Sequence, residues 1–170
     1  MRVIALAGNP NSGKTTLFNA ISGGSEKTGN WPGVTVEKKE AHLAIGGEEF
    51  QLVDLPGTYS LNSSSPEERI AGEFLQSERA DVIINVTDGG RLLRNLPLTR
   101  AILESGVPSV VALNFADELE QSGKMPDAAQ LSRALGVPVI PVSGRKRTGI
   151  SELLAAAKVL SMRKLRLMIV

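Results

Sequence analysis

The chain has 170 residues, enough for one domain with a full core. Lysine plus arginine (19) nearly balance aspartate plus glutamate (18), a net charge of +1 that argues against a nucleic-acid binder driven by bulk charge. Cysteine is absent, which removes disulfides, thiolate metal sites and cysteine nucleophiles and suits the cytosol, and the one histidine, His42, cannot build an imidazole metal centre.

No run approaches the length of a transmembrane helix, and the apolar stretch after Met1-Arg2 is too short for a secretory leader. The expectation is a soluble chain without direct membrane insertion.

Residues 3–7 form an apolar run that reads as a first strand. Gly8-Asn9-Pro10-Asn11-Ser12-Gly13-Lys14-Thr15 follows, matching G-x-x-x-x-G-K-[ST]. Residues 15–22 then place Leu17, Phe18 and Ile21 at helical spacing. This strand–loop–helix context is the one a phosphate-binding loop requires. Its glycines let successive N–H groups turn toward an anion, and the helix adds its positive end.

Residues 23–35 are rich in Gly, Ser, Asn and Thr around a lone Trp31 and read as a mobile loop at the ligand edge. Residues 41–45 and 49–53 flank Gly46-Gly47 and read as a hairpin, with His42 a partly exposed strand residue. Residues 58–65 form a second polar loop before a helix over 66–76, which starts at Ser65-Pro66 with Glu67 and Glu68 in its first turn. Short continuous apolar runs at 82–86, 110–113 and 139–142 read as strands buried on both faces. Helices are expected over 95–105, 127–135 and 151–160, with Gly106 and Gly136 as left-handed caps. The alternation predicts an α/β fold: a P-loop NTPase with a six-stranded, mostly parallel sheet and helices on both faces.

Further patterns select the nucleotide. Asp54-Leu55-Pro56-Gly57 ends the third strand and matches D-x-x-G. There Asp54 would hold Mg²⁺ and the Gly57 N–H would face a γ-phosphate that any side chain would crowd. Asn114-Phe115-Ala116-Asp117 matches N-x-x-D. A carboxylate at Asp117 accepts from guanine N1–H and its 2-amino group, two donors adenine lacks. Asn114 would reach guanine N7 and pin the loop, and Phe115 stands where most GTPases place Lys. Ser143-Gly144 stands where Ser-Ala is usual, and the Gly144 N–H would reach guanine O6. Lys14 would contact the β- and γ-phosphates, with Thr15 and Thr16 beside it, and Thr15 and Thr35 would ligate Mg²⁺. Thr35 lies in Gly33-Val34-Thr35, and Thr28 is the second candidate in the same loop. Together these imply a GTPase of Ras-like G-domain type, binding GTP and GDP. Lys14, Thr35 and Gly57 are its expected catalytic groups.

The runs from Gly8 to Asn19, Gly29 to Lys38 and Asp54 to Leu61 resemble the N-terminal GTPase domain of the prokaryotic ferrous iron transport protein B family. Asn30-Trp31-Pro32-Gly33 before the threonine is the most specific stretch, and the resemblance covers residues 1–160. It implies a domain on the cytoplasmic face of the inner membrane, joined in the full transporter to a helical part and a membrane part that moves Fe²⁺. Residues 161–170 would then be a tail or the start of a following segment. Thr58 replaces the water-orienting Gln that follows D-x-x-G in Ras-like enzymes, so intrinsic hydrolysis is expected to be slow. The resemblance supplies a substitute, a K⁺ held by Asn11 and first-loop carbonyls, which adds Asn11 to the expected catalytic groups. A partner-dependent switch with little turnover of its own is the alternative reading.

Overall fold

The computed structural model describes residues 1–169, with side chains through Arg163. Seven strands form one sheet in the order β2-β3-β4-β1-β5-β6-β7. They are β1 (Arg2–Gly8), β2 (Glu26–Asn30), β3 (Glu37–Ile45), β4 (Glu48–Asp54), β5 (Val82–Asp88), β6 (Ser109–Asn114) and β7 (Val139–Pro141). Six helices accompany them: α1 (Lys14–Ser22), α2 (Pro66–Gln76), α3 (Leu92–Glu104), α4 (Ala116–Gln121), α5 (Ala128–Leu135) and α6 (Ile150–Ile169). Strands β4, β1, β5, β6 and β7 run parallel, while β3 is antiparallel to both β4 and β2.

Alternation along each strand divides the core. On β1, Ile4 and Leu6 face one layer with Leu17, Phe18 and Ile21 of α1 and Leu153 and Ala157 of α6. Ala5 and Ala7 face the other, with Ile70 and Phe74 of α2 and Leu98 and Ile102 of α3. Strand β6, buried throughout, and β5, buried as far as Thr87, hold the short apolar runs expected of a sheet covered on both faces.

The sheet has one strand more than the six expected. Strand β2, Glu-Lys-Thr-Gly-Asn, is exposed throughout and lies at the sheet edge beside β3. It falls inside the segment expected to be loop. Only main-chain pairing with β3 makes it a strand, so it has no apolar alternation to read. The β3–β4 hairpin is as expected, with Gly46 (φ 56°) and Gly47 (φ 81°) supplying the paired positive φ of a type I′ turn.

Helix ends follow their residues. Ser65 caps α2 by accepting from the Glu68 N–H at 3.1 Å. Asp127 caps α5 in the same way, and Gly136 ends it in the left-handed conformation. Helix α3 begins three residues earlier than expected and carries Pro97 inside it, and α6 continues past 160 to Ile169. His42 is an exposed residue of β3.

Candidate functional site

The charged and polar groups gather at the C-terminal ends of the parallel strands, where α/β sheets hold ligands. Gly8 ends β1, Asp54 ends β4, Asp88 ends β5 and Asn114 ends β6. Residues 9–13 loop from β1 into α1. Gly13, at φ 81°, is the residue before the helix, and no side chain caps the α1 N-terminus among the described residues. Its first N–H groups therefore remain for an anion. A cleft of about 290 Å³ opens there, lined by Asn9, Pro10, Asn11, Gly13, Lys14, Thr15, Thr16 and Gly57.

Lys14 pairs with Asp54 across the cleft, Nζ to Oδ1, both side chains being largely buried. Burial raises the Asp54 pKa above its ordinary value, and the Lys14 ammonium opposes that rise. Gly57 sits against the phosphate loop: a Cβ there would meet Pro10 at 3.4 Å, ordinary contact. The protein itself does not crowd that position.

Asn114 is 1% exposed and joins the two halves of the site. Its Nδ2 donates to the Ser12 carbonyl at 3.0 Å, and its Oδ1 accepts from the Gly144 N–H at 3.3 Å. One N–H of Nδ2 is thus committed to the phosphate loop, leaving the second for a base. Phe115 takes φ 68° to cap α4, and its ring lies over Gly13: a Cβ on Gly13 would reach Phe115 Cζ at 3.0 Å and collide with Asn114 Nδ2. Asp117 follows in the first turn of α4, half-buried.

Gly144 approaches α1 so closely that a Cβ would stand 3.0 Å from the Leu17 nitrogen and 3.3 Å from the Thr16 carbonyl carbon. Its loop is closed by the Ser143–Thr148 pair, each N–H donating to the other's carbonyl at 3.1 Å, and by Lys146 N–H on Ser143 Oγ at 3.0 Å. The basic run Arg145-Lys146-Arg147 is exposed.

Gly33, Val34 and Thr35 are not brought to the cleft. They lie in a turn between β2 and β3 closed by Trp31 N–H to Val36 O at 2.9 Å and Val34 N–H to Trp31 O at 3.2 Å, with Thr35 exposed. Trp31 anchors this turn. It is 6% exposed, edge-on to Phe74 of α2 with ring centroids 5.8 Å apart, and Lys38 Nζ lies 4.7 Å from its ring centroid.

Beneath the phosphate loop, Asn95 of α3 had no motif to mark it, whereas Asn9 belongs to the phosphate-loop pattern itself. Asn9 is buried and donates from Nδ2 to the Arg94 carbonyl at 3.1 Å. Asn95 accepts the Asp88 N–H at Oδ1 (3.3 Å) and donates to the Arg91 carbonyl at 2.8 Å. The Asp88-Gly89-Gly90 turn after β5 was the nearest signal for Asn95.

The sequence model of the family described as ferrous iron transport protein B matches residues 2–157. The chain belongs to the ferrous iron transport protein B family. It is 48% identical over 154 residues to the Fe(2+) transporter FeoB of Salmonella typhimurium, covering 88% of this chain and 20% of that protein. A Porphyromonas gingivalis fusion of Fe(2+) transport protein A with FeoB is 48% identical over 151 residues, with 18% of its length covered. The chain thus spans about a fifth of the curated relatives it matches.

Among solved structures, the G domain of T. maritima FeoB superposes with a TM-score of 0.89 at 40% identity, covering 95% of this chain and 99% of that one. An S. thermophilus NFeoB mutant bound to GDP gives 0.88 at 47% identity, covering 92% and 61%. The fold is that of the family's Ras-like G domains. No helix among the described residues is long and apolar enough to cross a membrane.

Proposed function

We propose that this chain is the GTP-binding and GTP-hydrolysing domain of a membrane ferrous iron transporter. The observation that carries the reading is Asn114, whose side chain joins the phosphate loop at Ser12 to the Gly144 loop, with Asp117 three residues on. Phosphate cleft and guanine-reading carboxylate are thereby held in one frame. The likeness to the cytosolic domain of T. maritima FeoB, at 41% identity over 95% of this chain, supports placing it on the cytoplasmic face of the inner membrane, attached to helical and transmembrane parts of a longer protein. Residues 1–160 form the G domain in this reading, and 161–170 are a tail or the start of a following segment.

Lys14 and the N–H groups of residues 13–16 would bind the phosphates, and Gly57 would offer its N–H to the γ-phosphate. Asp54 and Thr15 would hold Mg²⁺: Asp54 is a largely buried carboxylate paired with Lys14, and Thr15, the next residue, is exposed and lines the cleft. Thr35 would join them once its turn closes. Bound Mg²⁺ would neutralise phosphate charge during in-line attack of water. Asn11 lines the cleft and would offer its side-chain oxygen to K⁺.

Slow intrinsic turnover is part of the proposal, because Thr58 is both short and 5% exposed, with its N–H committed to the Gly8 carbonyl at 3.1 Å. The same observation, with Thr35 held away on a Trp31-anchored turn, favours a second reading as a switch that partners complete. Calorimetric titration with GDP and ADP tests the base assignment: GDP should bind and ADP should not. Equal binding would refute it.

A further inference from the structure

The loop after Asp54-Leu55-Pro56-Gly57 lacks a water-orienting glutamine, yet it has to hold the Gly57 N–H toward the cleft. Its inner half is docked on the sheet by Thr58 N–H to Gly8 O at 3.1 Å. Its outer half is met by Arg94 of α3. Arg94 donates from Nη2 to the Tyr59 hydroxyl at 3.1 Å, and its guanidinium carbon stands 5.3 Å from the Tyr59 ring centroid. The Arg94 carbonyl accepts from Asn9 Nδ2 of the phosphate loop at 3.1 Å.

We infer that Arg94 is a positioning residue for GTP hydrolysis: through Tyr59 it clamps the D-x-x-G loop to the same helix turn that holds the phosphate loop, and so fixes Gly57 relative to Pro10. The inference rests on the GTPase reading above. Hydrogen bond and cation–π contact act on one ring, a geometry guanidinium supplies and a lysine ammonium reproduces only in part. Arg94 and Tyr59 are both exposed, so their link adds little to global stability; its effect falls on loop position. Misplacing a transition-state donor lowers turnover while leaving ground-state affinity, set by the phosphate loop and Asp117, in place.

The test is steady-state GTP hydrolysis with Mg²⁺ in KCl, with thermal melting of each variant. Arg94→Ala should lower kcat roughly tenfold with KM and Tm little changed. Arg94→Lys should recover part of the loss. Tyr59→Phe, which keeps the ring and removes the hydroxyl, should lower kcat less, and Arg94→Ala with Tyr59→Phe should equal Arg94→Ala alone, because both act on one link. Unchanged kcat in Arg94→Ala, additive losses in the double variant, or a kcat loss that tracks a fall in Tm would each overturn the assignment. Absence of GTP turnover in the unmodified chain would instead overturn the GTPase reading, and the assignment with it.

Discussion

Asn114 Nδ2 donates to the Ser12 carbonyl at 3.0 Å, joining residues 102 positions apart in the chain. The same amide accepts the Gly144 N–H at 3.3 Å, so three loops share one side chain. Truncation would strand a buried carbonyl and a buried N–H. Asn114→Ala should therefore cost about 2–3 kcal/mol of stability. It should also weaken GDP binding at least tenfold by freeing both loops. Urea denaturation and GDP titration check the two effects.

Trp31 is the chain's one tryptophan, and its ring is buried against Phe74 of α2. Trp31→Ala should cost about 3 kcal/mol, the range for removing a buried aromatic, read as a shift in the urea midpoint. Its indole N–H has no partner among the described residues, so Trp31→Phe should cost much less than the alanine variant. A loss as large in the phenylalanine variant would contradict the buried-anchor account.

The cap of α2 gives a pH prediction. Glu68 accepts from Ser64 N–H (3.1 Å) and Ser64 Oγ (2.6 Å), and these bonds hold its carboxyl below the ordinary 4.5. A depressed carboxylate stabilises the fold fully above the unfolded value, and that contribution fades as pH falls through the folded one. Unfolding measured below pH 4.5 should therefore show less difference between the unmodified chain and Glu68→Gln than at pH 7. Ser65→Ala, which removes the N-cap acceptor, should cost about 1 kcal/mol.

Much of the site was legible because its motifs are local. The phosphate loop, D-x-x-G and N-x-x-D each lie at the end of a strand whose apolar run is plain in the sequence. Strand β2 was not legible: Glu26 to Asn30 carry no buried face, and only pairing with β3 defines them. Helix α4 was missed because its six residues directly follow the Asn114-Phe115 turn. Asn114's link to Ser12 and Arg94's to Tyr59 depend on distant elements meeting, which no spacing records. The threonine of the first loop could be named from its motif but not placed, since Trp31's packing on Phe74 governs where that turn sits.

The measurement that bears most directly on the central claim is phosphate release from GTP and from ATP with Mg²⁺, in KCl and in NaCl at equal ionic strength, for the unmodified chain and for Asn11→Ala and Asp117→Asn. The account predicts slow release from GTP and none from ATP, faster release in KCl that Asn11→Ala abolishes, and loss of GTP use in Asp117→Asn. Release from ATP at the same rate as from GTP, or no release from GTP under any of these conditions, would contradict it.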